Sequence, residues 1–391
     1  MVLGFHYHIP AYQKNGKIYT MSLQGLFIDS LAPHWDKVIA FLHTPVESEK
    51  EFMDYEIQSP NVEFVELMLH VSVPKRILQA KRTTKIFEAH AQKLDILLLR
   101  APTPMLPFIV RAIGKKVKYA YLNVGNWLDY MEDAKNLSVK ERALKTYYSW
   151  NENRQEKYAK DAIVFANSTV MYEKYKPISK QAFPIKTTTL KKTDLFYRED
   201  TCQNNMYEIL FAGRIADQKG VIEITEAIGR LHQDGIECRF NLVGWVDRND
   251  PTGERIKETA EKWGISDRIL FHGKKTVGEE LFSFYKNADM YVMASTAEGF
   301  PRTIWEALAN STPVIAAPVG AIPHYLKDGH DVLFVRPKNA DDLYHRIKTL
   351  ITDGDLRRKL IKNGQETVAD VTLEIQAEKM CTELKNFLNQ A

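Results

Sequence analysis

Cysteine is scarce in this chain of 391 residues: Cys202, Cys238 and Cys381 stand far apart, with no Cys-x-x-Cys pair. That spacing argues against a disulfide framework or a thiolate zinc site and fits a reducing compartment. Long apolar runs are missing as well. The richest stretch, 96–110, is interrupted by Arg100, Pro102, Pro104 and Pro107 and falls short of the ~18 residues a membrane-spanning helix needs. The opening residues, Met1-Val2-Leu3-Gly4-Phe5-His6-Tyr7-His8, lack the basic start and apolar core of a signal peptide, so a cytoplasmic protein is expected. No internal repeat or low-complexity tract is visible. Net charge is only +3, and basic residues are not interleaved with aromatics, which argues against a nucleic-acid partner.

What is present is ordinary globular composition, 45% hydrophobic and 26% charged, over a length suited to two domains of about 150–200 residues. Charge is unevenly spread: residues 1–200 carry 29 basic against 22 acidic side chains, and the remainder 24 against 28. The segment 74–85 holds Lys75, Arg76, Lys81, Arg82 and Lys85 without an acid. Such a stretch suits an anionic membrane surface or an acidic acceptor, and equally a solvated helix face.

Short β-rich runs alternate with amphipathic helical patterns. Strands are expected at 38–43, 95–100, 117–122 and 162–166, then at 208–212, 239–244, 269–272, 290–293, 314–316 and 332–335. Near-continuous apolar strands between helices such as 220–233 and 251–263 signal parallel sheets covered on both faces, an α/β fold. The rhythm stops between about Lys186 and Asn205. The expected division is therefore an N-terminal domain at 1–190, a C-terminal domain at 206–372 and a final helix within 373–391, which can pack back on the first domain. Ile375, Met380, Leu384, Phe387 and Leu388 recur on that helix at helical spacing.

Three stretches stand out for chemistry. Phe211-Ala212-Gly213-Arg214-Ile215-Ala216-Asp217-Gln218-Lys219-Gly220 follows a strand and opens a helix, placing two cations beside free backbone N–H groups. That arrangement suits a diphosphate, though a plain strand–turn–helix with surface cations has the same pattern. Ser295-Thr296-Ala297-Glu298-Gly299-Phe300-Pro301-Arg302-Thr303-Ile304-Trp305-Glu306 puts one carboxylate in a loop and another on the helix that follows. The two could address separate hydroxyl pairs of one long ligand, or serve as a helix cap and a surface acid. Pro313-Val314-Ile315 through Gly320-Ala321-Ile322-Pro323 reads as a buried strand, a turn and a helix start.

In this order the three stretches resemble the nucleotide-binding domain of family 4 glycosyltransferases of GT-B fold: Gly213-Arg214 with Lys219-Gly220, Glu298-Gly299-Phe300 with Glu306-Ala307, then Pro313-Val314-Ile315 with Gly320 and Pro323. The likeness is specific over 208–336 and faint over 1–190, where a strand, a loop at Gly16 and a helix opening are suggestive. It implies two Rossmann-like domains facing each other across a cleft. It also implies retaining transfer of a hexose from a nucleotide diphosphate sugar, UDP-glucose first and GDP-mannose second, to a saccharide or lipid-linked acceptor in polysaccharide or glycolipid synthesis.

By the same resemblance, Arg214 and Lys219 would hold the diphosphate and act in catalysis with Glu298, which would bind the transferred sugar. Glu306 would take the ribose, and the backbone at Gly299, Phe300, Pro301, Arg302 and Thr303 would line the sugar and phosphate pocket. Gly213 would admit the phosphates, and the base would rest near His272, Gly273 and Lys274, ahead of Leu281. Gly16 would let the opposing loop approach the phosphates.

Two departures qualify this expectation. Where many relatives place a histidine in the first domain, the turn Asn123-Val124-Gly125-Asn126 offers only Asn126, on the acceptor side, which is no acid or base near neutral pH. An acid usual after the Gly-x-x-Pro turn is His324 here. His6 and His8 are expected as packing or rim residues. No metal or cofactor is expected, because Asp353-Gly354-Asp355 is the only Asp-x-Asp and lies in a turn between helices. The alternatives are an epimerase or phosphorylase on the same fold and a non-catalytic sugar-nucleotide sensor.

Overall fold

A computed structural model describes residues 1–125, 127–128 and 138–390. They form two units: one of residues 1–187 with 373–391, the other of residues 188–372.

The first unit is built on parallel strands β1 (Val2–Lys14), β3 (Lys37–Thr44), β5 (Val62–Leu69), β6 (Ile96–Ala101), β7 (Lys118–Asn123), β8 (Ile163–Ala166) and β9 (Gln181–Pro184). They run in the order β5-β3-β1-β6-β7-β8-β9. The short strands β2 (Lys17–Thr20) and β4 (Tyr55–Glu56) extend the far end of β1 antiparallel. Burial explains why β6 is almost purely apolar. Leu97 and Leu99 pack into one core while Ile96 and Leu98 pack into the other, all fully buried, so neither face of the strand meets water.

The helix Leu373–Asn389 belongs to this unit. Its buried face is Ala377, Met380, Cys381, Leu384 and Phe387. Trp35 Nε1 donates to Cys381 Sγ at 3.2 Å and Lys118 Nζ to the Phe387 carbonyl at 2.9 Å.

In the second unit β10 (Met206–Arg214), β11 (Glu237–Trp245), β12 (Ile269–Gly273), β13 (Met290–Met293), β14 (Val314–Ala316) and β15 (Leu333–Phe334) are all parallel, in the order β12-β11-β10-β13-β14-β15. The chain builds outward from β10 to one side, then returns to place β13 on the other. This reversal between β10 and β13 is where open α/β sheets hold ligands, at the strands' carboxyl ends.

The units divide at Thr187, three residues before the expected end at 190, and the stretch 191–205 joins the second unit. Leu190 lies in that unit's core, Arg198 Nη1 donates to the Lys286 carbonyl at 2.8 Å, and Asp200 pairs with Arg357 at 2.8 Å. This polar segment is held to the unit by bonds to backbone and charge, with Leu195 and Cys202 packed against the core. No helix among the described residues is long and apolar enough to cross a membrane. The three cysteines are free.

Candidate functional site at the sheet reversal

β10 ends at Arg214 and β13 at Met293, so the loops that follow these neighbouring strands emerge side by side. One backbone bond stitches them: Thr296 N donates to the Gln218 carbonyl at 2.9 Å. Two glycines allow the close approach. Gly220 has φ +72°, and a Cβ there would stand 2.5 Å from the Ala294 carbonyl oxygen; Gly320 has φ +58°, with its Cβ 1.9 Å from that of Glu298. The turn at Gly320 therefore lies directly against the Glu298 loop, and Ala321 N donates to the Gly299 carbonyl at 2.8 Å.

This packing brings Lys219 and Glu298 together across 79 residues of sequence. Nζ and Oε1 are 2.5 Å apart, and the side chains are 18% and 11% exposed. Nearly buried ion pairs add little net stability, because desolvation offsets the attraction, but they fix geometry. Arg214 stands at the end of β10, where Gly213 pairs with Gly244 of β11, and its Nη1 meets Asp247 Oδ2 at 3.2 Å. Both groups of that pair remain substantially exposed.

Asp217, inside the same loop, binds Lys338 and, at 2.7 Å, Arg255. The Lys338 ammonium first, then Arg255, holds its carboxyl below the usual range. Asp217 thereby anchors the loop that carries Lys219.

Glu306 takes a different position from a surface acid. It is 5% exposed on the helix Arg302–Ala309, accepts from Tyr285 Oη at 2.9 Å, and meets Thr189 Oγ1 at 3.5 Å. Burial pushes its carboxyl above the ordinary range, against the pull of Arg302, Tyr285 and Thr189. Tyr291 lies in the field of both Glu298 and Glu306 and donates to Thr303 Oγ1 at 2.8 Å. Phe300 stacks on Trp305 with centroids 4.2 Å apart, and Pro301 precedes the first turn of the helix.

The His272 side chain turns along the sheet rather than into the loop: Nε2 donates to Asn241 Oδ1 at 2.8 Å, and the ring lies 4.7 Å from Phe284. Burial, then Lys275, lowers its pKa. Gly273 and Lys274 continue past the carboxyl end of β12, and Leu281 is a buried core residue on the helix Glu279–Asn287.

Four expectations need comment. Gly16 is corrected: Asn15 and Gly16, at φ +53° and +78°, form the tight turn between β1 and β2. Gly16 shares a pocket with Lys37 and Val62, at the amino ends of β3 and β5, away from the carboxyl edge. Arg76 is corrected too, being 6% exposed and so no part of a solvated basic face. Asn126 lies outside the described residues. Asp353 caps the helix Gly354–Val368 and Asp355 pairs with Arg358.

Sequence reading missed Asp247, Tyr285 and Thr189, and quoted Asp217 without a role. Only Asp217 carried a signal, its place inside the Gly213–Gly220 motif.

Comparison with known proteins adds to this geometry. The model of the family "Glycosyl transferases group 1" matches residues 197–367. A D-inositol 3-phosphate glycosyltransferase of Streptomyces bingchenggensis is 32% identical over 185 residues, 44% of this chain and 40% of that protein. The chain thus spans less than half the length of that relative. Protein CapJ of Staphylococcus aureus is 25% identical over 315 residues, 78% of this chain and 76% of its own. Among solved structures, Anabaena HepE in complex with UDP and glucose superposes with a TM-score of 0.69 at 15% identity, covering 99% of this chain and 100% of that one. The stretch 197–367, which contains the Lys219–Glu298 pair, is thus similar to the group 1 glycosyl transferases, and the two parallel-sheet units give the chain the GT-B fold.

Proposed function

We propose that the chain is a retaining glycosyltransferase that moves a hexose from a nucleotide diphosphate sugar, UDP-glucose or a close relative, to a saccharide or lipid-linked acceptor. The observation that carries this reading is the Lys219–Glu298 pair at the sheet reversal, with Arg214 at the end of the same strand. A diphosphate would compete with Asp247 for Arg214 and with Glu298 for Lys219, so the anion would take over cations already in place. Glu298, relieved of Lys219, would accept hydroxyls of the transferred sugar, and Glu306 those of the ribose. A carboxylate offers about four acceptor positions, so the bonds from Tyr285 and Thr189 leave capacity.

In the transfer, the acceptor oxygen bonds to the anomeric carbon on the face from which the phosphate oxygen departs. The departing oxygen takes the acceptor's proton. Arg214 and Lys219 stabilise the charge growing on the leaving diphosphate, so neither a metal nor another cofactor is required. HepE, of like fold, is known with UDP and glucose bound, which supports a uridine donor.

A thermal-shift panel of UDP, GDP, ADP and their sugars tests the donor. UDP and UDP-glucose should stabilise most, and Arg214→Ala should abolish the shift; equal shifts in that variant would overturn the assignment. Product anomeric configuration by NMR tests retention, and activity in EDTA tests metal independence. We place the protein at the cytoplasmic face of a membrane, touching it through Lys75, Lys81 and Arg82; unchanged liposome binding after their neutralisation would remove that element.

A further inference from the structure

The carboxyl edge of the first unit's sheet gathers four histidines and one arginine: His6 and His8 from β1, His43 from β3, His70 just past β5, and Arg76 on the short helix Val73–Leu78. Among the described residues no carboxylate pairs with the buried Arg76. Among the described residues its guanidinium makes one long bond, Nη1 to the His8 carbonyl at 3.5 Å, and its Nε is buried with no partner. The carboxylate whose field it feels, Glu49, is already committed, Oε1 to His70 Nδ1 at 2.6 Å and Oε2 to the Val46 N–H at 3.0 Å.

Two more polar atoms in the cluster are buried and unpartnered, His8 Nδ1 and His43 Nε2. The tautomer of His43 follows from its other nitrogen, which lies 3.1 Å from the Met68 carbonyl and must donate to it. In the neutral ring Nε2 is therefore an acceptor. His8 lies 5.9 Å from Trp127, which stacks obliquely on Tyr148 at 4.6 Å. Those two aromatics also line a small pocket with Asn123 and Asn151.

We propose that this cluster is an oxyanion site for a phosphate monoester, with Arg76 gripping the charged oxygens and His43 Nε2 accepting the P–OH proton. A buried charge left unpaired is costly, and a phosphate would supply both the missing counter-charge and the missing donor. The site concerns the first unit alone and stands apart from the transferase reading. Sulfate matches the size and charge of phosphate but carries no proton near neutral pH, so it could use His43 only as a cation. Burial first, then His6 and Arg76, depresses the His43 pKa to about 3, which closes that route. Among the described residues, the ionisable groups facing the site are His6, His8, His70, Glu49, Arg76 and Tyr148.

The test is titration of the full chain with inorganic phosphate, followed by thermal shift. It is done in an Arg214→Ala/Lys219→Ala background so that the second unit's cations do not report. Phosphate should raise Tm, more strongly at pH 6 than at pH 8, with sulfate at least tenfold weaker. Arg76→Met should abolish the shift and leave the ligand-free Tm unchanged or higher, since it removes an uncompensated charge. A phosphate shift that survives Arg76→Met, or none in the parent, would overturn the site. So would sulfate binding as tightly as phosphate, or a ligand-free Tm that falls in Arg76→Met and is restored by Arg76→Lys, which would make Arg76 structural.

Discussion

Glu298 and Glu306 are the same residue type eight positions apart, and their surroundings give them opposite burdens. Glu298 neutralises Lys219 at a partly open edge, whereas Glu306 sits buried under hydroxyl donors. Glu298→Gln keeps an amide oxygen for Lys219 while removing the charge that strengthens hydrogen bonds to the sugar. Turnover should fall at least tenfold, about 1.4 kcal/mol of transition-state stabilisation. Steady-state rates equal to wild type would sink the assignment of this residue. Glu306→Gln makes a sharper contrast. Burial has raised the Glu306 pKa, so its ionised form at pH 7 is a burden on the fold. The amide should leave Tm at pH 7 unchanged or higher while weakening UDP binding in calorimetry. A lowered Tm with unchanged UDP affinity would show that Glu306 is structural.

At the scale of elements, the Glu298 loop depends on a turn from a different strand. Gly320→Ala would force the left-handed conformation on a residue with a Cβ, costing roughly 1–2 kcal/mol, and would push its Cβ into the Glu298 and Gly299 carbonyls. Gly235→Ala is the control, because at φ +75° it has the same backbone cost and nothing within 4 Å of its Cβ. Both variants should lose a few degrees of Tm, but only Gly320→Ala should lose turnover, by about tenfold or more. Equal rates in the two would show that the turn does not hold the loop.

The elements themselves were largely readable in the sequence, and the reasons are physical. Strands β6 and β13 are buried on both faces and are nearly continuous apolar runs, and β10 and β11 have apolar buried centres, so all four fall within two residues of expectation at their ends. β5 was not expected, because Glu63 and Glu66 interrupt a strand that pairs on one side only and is mostly half-exposed. The site was readable as motifs and unreadable as contacts. Spacing put Lys219 after one strand and Glu298 after another, but their meeting depends on which strands are neighbours. Arg76 was counted with exposed lysines because adjacency in sequence does not show which way a side chain turns.

Across the whole molecule, the buried titratable groups set the two units against each other in acid. In the first unit, burial lowers His6 to about 4 and His43 to about 3, and both side chains are fully buried. Their folded values lie below the unfolded one near 6.5, so the unfolded chain binds more protons and the stability they contribute is lost as pH falls below about 6.5. Between pH 6.5 and 5 each neutral buried histidine forfeits roughly 2 kcal/mol. The raised carboxyls of the second unit carry the opposite sign. Burial raises Glu223 and Glu306, so their native forms take up protons earlier than the unfolded chain does, and that contribution grows as pH falls toward the carboxylate range. Depressed carboxyls such as Asp217 and Asp200 act only lower still, as pH falls below about 3.8. Hydrogen exchange at pH 7 and pH 5 in phosphate-free buffer, corrected for intrinsic rates, should therefore show β1, β3 and β6 losing protection while β10 and β13 keep theirs. His43→Asn should blunt the loss in the first unit, because asparagine has no proton to gain. Earlier loss of protection in β10 and β13 would mean that some group other than the buried histidines governs acid stability.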